Sequence, residues 1–386
     1  MSASTSVVKP LPVSRRSFLG GSLGALAAVA LPGGAFAGGR DRIRLGLIGC
    51  GGRGTGAAMH ALAADAGAMI VAVADASAVQ LDDGLAMLAA HGAGRVDCPA
   101  ERRFVGPDAW RGLLAADVDA VILATPPAPR PAQAAAAIAA GRHVFCETPA
   151  GVDAAGVRRL LVALDDARAR GLSFATGLWS RHHAPIRETV AAIHAGTIGA
   201  PRHAVAVARV GLPWRRPVPP AAGAAAAEAL NWIWHPRLSG GHFVERHVHA
   251  IDRMLWAFGD EPPVTAEPTG PGTADFAGTA VRYRFADGRG FVAALERRAG
   301  CVDRIVERVF GGLGSVDLHA APRRSGSLEA VGDPRAAGMA AFIAGLRHGR
   351  PTSDGATLCR ATHAAIMGRT AAEQGRVVDS RALWAG

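Results

Sequence analysis

Hydrophobic and polar positions follow two different periods along this chain. Residues 42–48 (R-I-R-L-G-L-I) form a short, nearly continuous apolar run, as expected of a strand buried on both faces of a parallel sheet. The run enters Gly49-Cys50-Gly51-Gly52-Arg53-Gly54 and then A-A-M-H-A-L, which has helical spacing. A second apolar run at 69–74 (M-I-V-A-V-A) ends in Asp75, and a third at 118–124 (V-D-A-V-I-L-A) ends at Thr125-Pro126-Pro127. A helix over 131–140, a strand over 143–146, the turn Glu147-Thr148-Pro149 and a strand over 172–176 complete the pattern. Such alternation predicts an α/β fold with a doubly wound parallel sheet and right-handed crossovers. Ligands bind at the carboxyl ends of such strands, where Thr125 and Glu147 lie.

Further along, the period becomes helical. After Asn231-Trp232 and Ser239-Gly240-Gly241, the stretch H-F-V-E-R-H-V-H-A-I-D-R-M-L-W-A-F keeps a helical repeat up to Gly259. His242, Glu245, His249, Asp252 and Trp256 recur at spacings of three and four and so share one face. His247 falls off that stripe and reads as a packing residue.

The first 37 residues read as a targeting leader rather than as part of the fold. Ser14-Arg15-Arg16-Ser17-Phe18-Leu19 is a twin-arginine signature, followed by an apolar stretch over 19–31 and small residues at Ala35-Phe36-Ala37. That stretch is too short to span a bilayer. The expectation is cleavage after Ala37, passage through the twin-arginine translocase in the folded state, a periplasmic or exported location, and no membrane attachment after processing. Residues 38–165 then form a dinucleotide-binding domain and 166–386 a second domain.

Composition sharpens this picture in two places. Among 42 lysines and arginines one, Lys9, is lysine, and it lies in the leader. The formal net charge of +10 falls by three when Lys9, Arg15 and Arg16 leave, and the remaining arginines are scattered without basic runs or interleaved aromatics. That excludes a nucleic-acid partner and leaves a surface that favours anionic ligands. The five cysteines (Cys50, Cys98, Cys146, Cys301, Cys359) show no C-x-x-C pairing, and their odd number argues against a disulfide framework. Residues 217–227, rich in Pro and Ala, read as a loop.

The glycine turn carries specific chemistry. Gly49, Gly51 and Gly54 fit G-x-G-x-x-G: the first permits the tight turn, the second lets backbone approach a pyrophosphate, and the third lets helix pack on strand. Gly52 and Arg53 belong to the same cofactor-binding turn, and the helix start offers free N–H groups to phosphate. Asp75 can accept hydrogen bonds from ribose hydroxyls and would repel a 2′-phosphate. Ala76 and Ser77 follow with no arginine, so NAD is expected over NADP.

Taken together, G-L-I-G-C-G-G-R-G, D-A-V-I-L-A-T-P-P, A-G-R-H-V-F-C-E-T-P-A-G-V-D, G-L-W-S-R-H-H, N-W-I-W-H-P-R-L-S-G-G-H-F-V-E-R-H-V-H-A-I-D and A-A-I-M-G-R-T-A-A resemble the glucose–fructose oxidoreductase / inositol dehydrogenase / MocA (Gfo/Idh/MocA) family, and its Tat-exported branch in particular. The resemblance implies a Rossmann domain followed by an α/β domain on a large, mostly antiparallel open sheet, through which homo-oligomers form. It implies NAD(P)-dependent chemistry on a sugar, polyol or related hydroxy compound. Thr125, Pro126, Glu147 and Thr148 fall at cofactor-binding positions. Glu245 and His249 fall where the family places an acidic residue and a histidine against the substrate hydroxyl, and Arg181, His182, Trp232, His242 and Asp252 are substrate-side candidates. The family needs no metal, and His242, Glu245 and His249 do not have H-E-x-x-H spacing, so no metal site is expected.

One position departs from the family. Thr148 stands where relatives carry the lysine of E-K-P that holds the substrate hydroxyl and lowers its pKa. Threonine can position a hydroxyl but supplies no charge and no base near neutral pH. The expected activity is an NAD-linked oxidoreductase with His249 as base, Glu245 orienting the ring, and a tightly held dinucleotide. An NAD-dependent glycoside hydrolase and a non-catalytic dinucleotide- or sugar-binding protein are the alternatives.

Overall fold

A computed structural model describes residues 41–386 other than 93, 219–222, 271–277, 319–331 and 386, so the leader at 1–37 and part of the 217–227 loop lie outside the described residues. All described residues belong to one compact unit. Six strands form the first sheet: β1 (Ile43–Ile48), β2 (Ala68–Asp75), β3 (Arg103–Val105), β4 (Ala120–Leu123), β5 (His143–Cys146) and β6 (Phe174–Thr176). Helices α1 (Gly52–Ala64), α2 (Ala78–His91), α3 (Ala109–Ala115), α4 (Arg130–Ala139) and α5 (Ala154–Ala169) connect them. The order is β3-β2-β1-β4-β5-β6 and every pairing is parallel. This is the Rossmann arrangement, with its switch point between β1 and β4.

The expected strands at 42–48, 69–74, 118–124, 143–146 and 172–176 all appear, the fourth with the expected bounds and the others with ends moved by one or two residues. Their continuous apolar character follows from burial on both faces: β4 and β5 are buried at every position. The short β3 has no such run because it is an edge strand with two of its three residues exposed. The sheet reaches Thr176, past the domain boundary expected at residue 165.

Beyond it come α6 (Ala184–His194), β7 (Pro201–Val210), α7 (Ala224–Leu230), α8 (Pro236–Ser239), α9 (Gly241–Ala257), β8 (Thr265–Pro268), β9 (Thr279–Arg284), β10 (Gly290–Arg297), β11 (Arg304–Gly311), β12 (Ser315–Asp317), α10 (Pro334–Arg347), α11 (Gly355–Gln374), β13 (Val378–Asp379) and α12 (Ser380–Ala385). The second sheet runs β12-β11-β7-β10-β9-β8-β13. It is antiparallel except where β10 pairs parallel with β7. The fold is therefore α/β, with a parallel Rossmann sheet and a second, mostly antiparallel open sheet.

Helix α9 packs against α11 on one side and β7 and β10 on the other, which explains its strong amphipathic repeat. The chain enters it through Gly240 and Gly241, at φ +81° and +77°, a left-handed pair that an L side chain rarely adopts. All five cysteines are free and four are buried. Burial pushes the Cys146 thiol up to about 12, so it stays a neutral, small apolar residue at neutral pH. No helix of the described residues is long and apolar enough to cross a membrane.

Candidate active site

The glycine turn is built as its spacing predicts. Gly49 sits at φ +97°, and a Cβ there would lie 2.7 Å from the Ala124 carbonyl carbon, because β1 and β4 end side by side. A Cβ on Gly54 would fall 1.8 Å from the Gly49 oxygen, so only glycine lets α1 approach the strand end. Gly51 and Gly52 open instead onto a cleft of about 730 Å³. A Cβ on Gly52 would meet nothing within 4 Å, and no side chain caps the start of α1. The exposed N–H groups and positive end of a helix dipole there suit a phosphate.

Thr125, Glu147 and Thr148 line this cleft at the ends of β4 and β5. Thr125 donates its hydroxyl to Gln133 at 2.6 Å. Glu147, 6% exposed, meets the Arg53 guanidinium at 3.0 Å across the turn. Beneath them lies Arg130, which sequence reasoning passed over. It is 3% exposed, donates to the Glu147 carbonyl at 2.8 Å, and also donates to the carbonyls of Thr125 and Pro149. One buried guanidinium thus ties the ends of two strands into a single rim. Pro126, by contrast, is not part of the cleft lining.

Asp75 is held by the backbone of the glycine turn and of the residues that follow its own strand. Its carboxylate accepts from the Cys50 N–H at 2.7 Å and the Ser77 N–H at 2.9 Å and is not among the groups lining the cleft. Burial raises its pKa, and hydrogen bonds from the Ser77, Cys50 and Ala76 backbone oppose that shift. The residue pins the glycine turn to β2, and each oxygen keeps a lone pair for a further donor. Arg216, from the loop after β7, lines the same cleft and brings a positive charge toward Asp75. The local sequence after Asp75 carries no such charge.

From the other side, α9 presents Glu245 and His249 to the cleft, as the helical stripe predicts. His249 is half-buried, and its Nε2 lies 3.1 Å from the Thr148 hydroxyl oxygen. Its ring stands 6.3 Å from Trp179, and its buried Nδ1 has no hydrogen-bond partner. Burial, then the charges of Arg253, Arg246, Arg335 and Arg53, press the imidazole down to about 3, so it is neutral at physiological pH. The expectation that Glu245 orients this ring is not met. Glu245 makes no hydrogen bond to His249 and faces Arg297, whose Nη2 is 3.8 Å away. Burial raises the Glu245 carboxyl, and Arg297 partly offsets this.

Three other candidates lie outside the cleft. Arg181 grips Asp252 with Nε and Nη2 at 3.1 and 2.7 Å and reaches Asp260 at 2.6 Å. Asp252 is only 1% exposed, and a carboxylate buried that deeply needs a cation more than a substrate does. His242 accepts from the Arg297 guanidinium, and burial presses its pKa down to about 2. These residues belong to the packing that holds α9. His182 and Trp232 do line the cleft, and Trp232 meets Trp214 edge-on at 6.2 Å. His182 is packed against Gly338, where a Cβ would lie 3.0 Å from its ring.

His247, 2% exposed, pairs its Nε2 with the Ala206 carbonyl at 3.0 Å, and burial presses it down to about 4. The unfolded chain binds this proton near pH 6.5 and the folded chain does not, so stability is lost as pH falls below about 6.5. The expected loss is about 1.4 kcal/mol per pH unit from this residue until its folded pKa is reached. Urea melts at pH 7 and 5.5 measure it, and His247→Gln should remove this residue's share of the slope while His242 and His249 keep theirs.

Arg130, Trp179, Arg246, Arg253 and Arg335 also line the cleft. Trp179 and Arg246 lie inside the G-L-W-S-R-H-H and H-F-V-E-R-H motifs and could have been found there. Nothing near Arg335 or Arg216 in the sequence points to this site.

Comparison with known proteins agrees with this fold. Residues 43–174 match the family described as "Oxidoreductase family, NAD-binding Rossmann fold". An inositol 2-dehydrogenase of Rhizobium meliloti (strain 1021) is 30% identical over 57% of this chain and 56% of its own length. A glycosyl hydrolase family 109 protein of Shewanella amazonensis is 33% identical over 36% of this chain and 34% of its own. The chain thus aligns with about half or less of these curated relatives. Scyllo-inositol dehydrogenase from Lactobacillus casei, solved with NAD(H) and scyllo-inositol, superposes with a TM-score of 0.67 at 18% identity over 88% of this chain and 98% of that one, a likeness of fold. The likeness to the oxidoreductase family is thus carried by residues 43–174, the segment that matches its NAD-binding Rossmann fold.

Proposed function

We propose that this protein moves hydride between a nicotinamide dinucleotide and a sugar, polyol or related hydroxy compound. The observation that carries the reading is the contact of Thr148 with His249 on the cleft floor, beside the open glycine turn. The turn fits a dinucleotide, since Gly52 leaves open space where a side chain would stand and α1 is uncapped. Gly49 and Gly54 shape that turn, and Gly51, Gly52 and Arg53 would hold the diphosphate. Thr125 and Glu147 would flank the nicotinamide half, and Asp75 would meet the ribose hydroxyls through the lone pairs its backbone partners leave. Asp75 favours NAD over NADP, while the nearby charge of Arg216 keeps that preference modest.

When bound, the nicotinamide supplies the hydride acceptor or donor. The residues of this chain manage the proton. With His249 neutral, Nε2 can accept the Thr148 hydroxyl proton while the Thr148 oxygen takes the proton of the substrate alcohol. Thr148 then serves as a relay, in the place where relatives hold a lysine. Glu245 is placed to accept from a second substrate hydroxyl, and Trp232 and His182 offer walls for a ring. In this reading the 1–37 leader exports the folded protein with its cofactor inside, and the second sheet is where copies of the chain associate.

The mature protein purified from a host with twin-arginine export should carry nicotinamide, read by absorbance and fluorescence, and its redox state should change when myo-inositol or glucose is added. Aryl release from an aryl glycoside without net redox change would favour the hydrolase suggested by the Shewanella relative. Protein that is empty and refuses added NAD would remove the enzymatic reading altogether.

A further inference from the structure

Six arginines and three glutamates line the cleft. Each glutamate has its cation: Glu147 meets Arg53 at 3.0 Å, Glu307 meets Arg253 at 2.5 Å, and Glu245 faces Arg297 at 3.8 Å. Arg130 spends its guanidinium on backbone carbonyls, and Arg216 stacks over Trp214 at 5.4 Å near Asp75. Two cations are then left over. Arg246 and Arg335 make no ion pair and no side-chain hydrogen bond among the described residues. Arg246 stands between Glu245 and His249 on α9, and Arg335 stands in the first turn of α10 with its guanidinium 6.0 Å from the Trp179 ring. The charges of both bear on the His249 imidazole. On the oxidoreductase reading, the diphosphate of a dinucleotide would be met by the glycine turn and Arg53.

We infer that the substrate is a sugar carrying an anionic group, a carboxylate or a phosphate ester, held by Arg246 and Arg335 while its reacting hydroxyl faces Thr148 and His249. This rests on the oxidoreductase reading above and adds the substrate class to it. Guanidinium is suited to both anions because its planar fork donates two parallel hydrogen bonds. Arg246 and Arg335 are both exposed and face one cleft, and a bound anion offsets the positive charge gathered there. It also offsets the cationic field on His249 and so restores basicity to the ring that receives the proton. The chain thus puts positive charge at the far end of the substrate, having given up the lysine charge at the reacting hydroxyl.

Calorimetry on the NAD-loaded mature protein tests this without requiring turnover. D-glucuronate, glucose 6-phosphate and D-glucose are the three probes, and the two anions tell carboxylate from phosphate. At least one anion should bind roughly tenfold or more tightly than glucose, with the advantage shrinking as salt rises. Arg246→Ala and Arg335→Ala should each weaken that anion by roughly ten- to a hundredfold, while NAD affinity stays within about twofold. Arg246→Lys should recover part of the loss, since it keeps the charge without the fork. Glucose binding as well as both anions, neither anion binding to NAD-loaded protein, or arginine variants that lose NAD as steeply as the sugar would each overturn the inference. Anion binding without redox change would count against the oxidoreductase reading and leave the anion site standing.

Discussion

Replacing His249 by alanine is expected to lower turnover by roughly 10²- to 10⁴-fold, the usual contribution of a positioned general base, with nicotinamide still bound. The argument is geometric. Nε2 lies 3.1 Å from the Thr148 hydroxyl, and both side chains face the cleft that the glycine turn opens. Thr148→Ala should cost a similar factor by removing the relay, and Thr148→Ser should recover most of it, because serine keeps the hydroxyl. Stopped-flow measurement of hydride transfer, with cofactor content checked by fluorescence, separates chemistry from binding. Because burial and four arginines hold the imidazole near 3 in the free protein, kcat/KM should persist well below the pH at which an ordinary histidine base fails. Unchanged rates in His249→Ala would take the residue out of the mechanism.

The largest stability effect is expected at Arg181. Asp252 is 1% exposed and accepts from Arg181 through both of its oxygens, while Arg181 also bridges to Asp260. Arg181→Met strands a buried carboxylate, which costs about 3–5 kcal/mol when one partner of a buried pair is removed. Calorimetric or urea unfolding reads that loss directly. The double variant Arg181→Met with Asp252→Leu should regain much of it, because two apolar groups replace the pair. A raised KM for the sugar with unchanged unfolding would return Arg181 and Asp252 to the substrate site from which the structure removes them.

These two residues show where periodicity stops informing. Asp252 shares a helical face with Glu245 and His249, and the spacing correctly predicts that face. It does not predict which neighbour covers each part of the face. Glu245 and His249 meet the cleft, while Asp252 meets Arg181 from the turn after β6 and His242 meets Arg297 from β10. Local pattern is a property of one element, and the partner of a buried charge is a property of two. The same reason explains Arg130. Nothing in T-P-P-A-P-R marks an arginine that collects three carbonyls, since those carbonyls come together only when β4 and β5 lie side by side.

By itself the sequence determined the parallel sheet, the glycine turn, the cleft at the strand ends and the absence of a lysine beside it. Each is carried by contiguous residues whose burial or backbone freedom acts within one element or one turn. Only the tertiary structure decided that Thr148 meets His249, 101 positions apart, that Asp75 is tied to the turn it follows, and that Arg246 and Arg335 face the same cleft. Such encounters depend on how whole elements pack, and packing is decided by the combined burial of many side chains across both sheets.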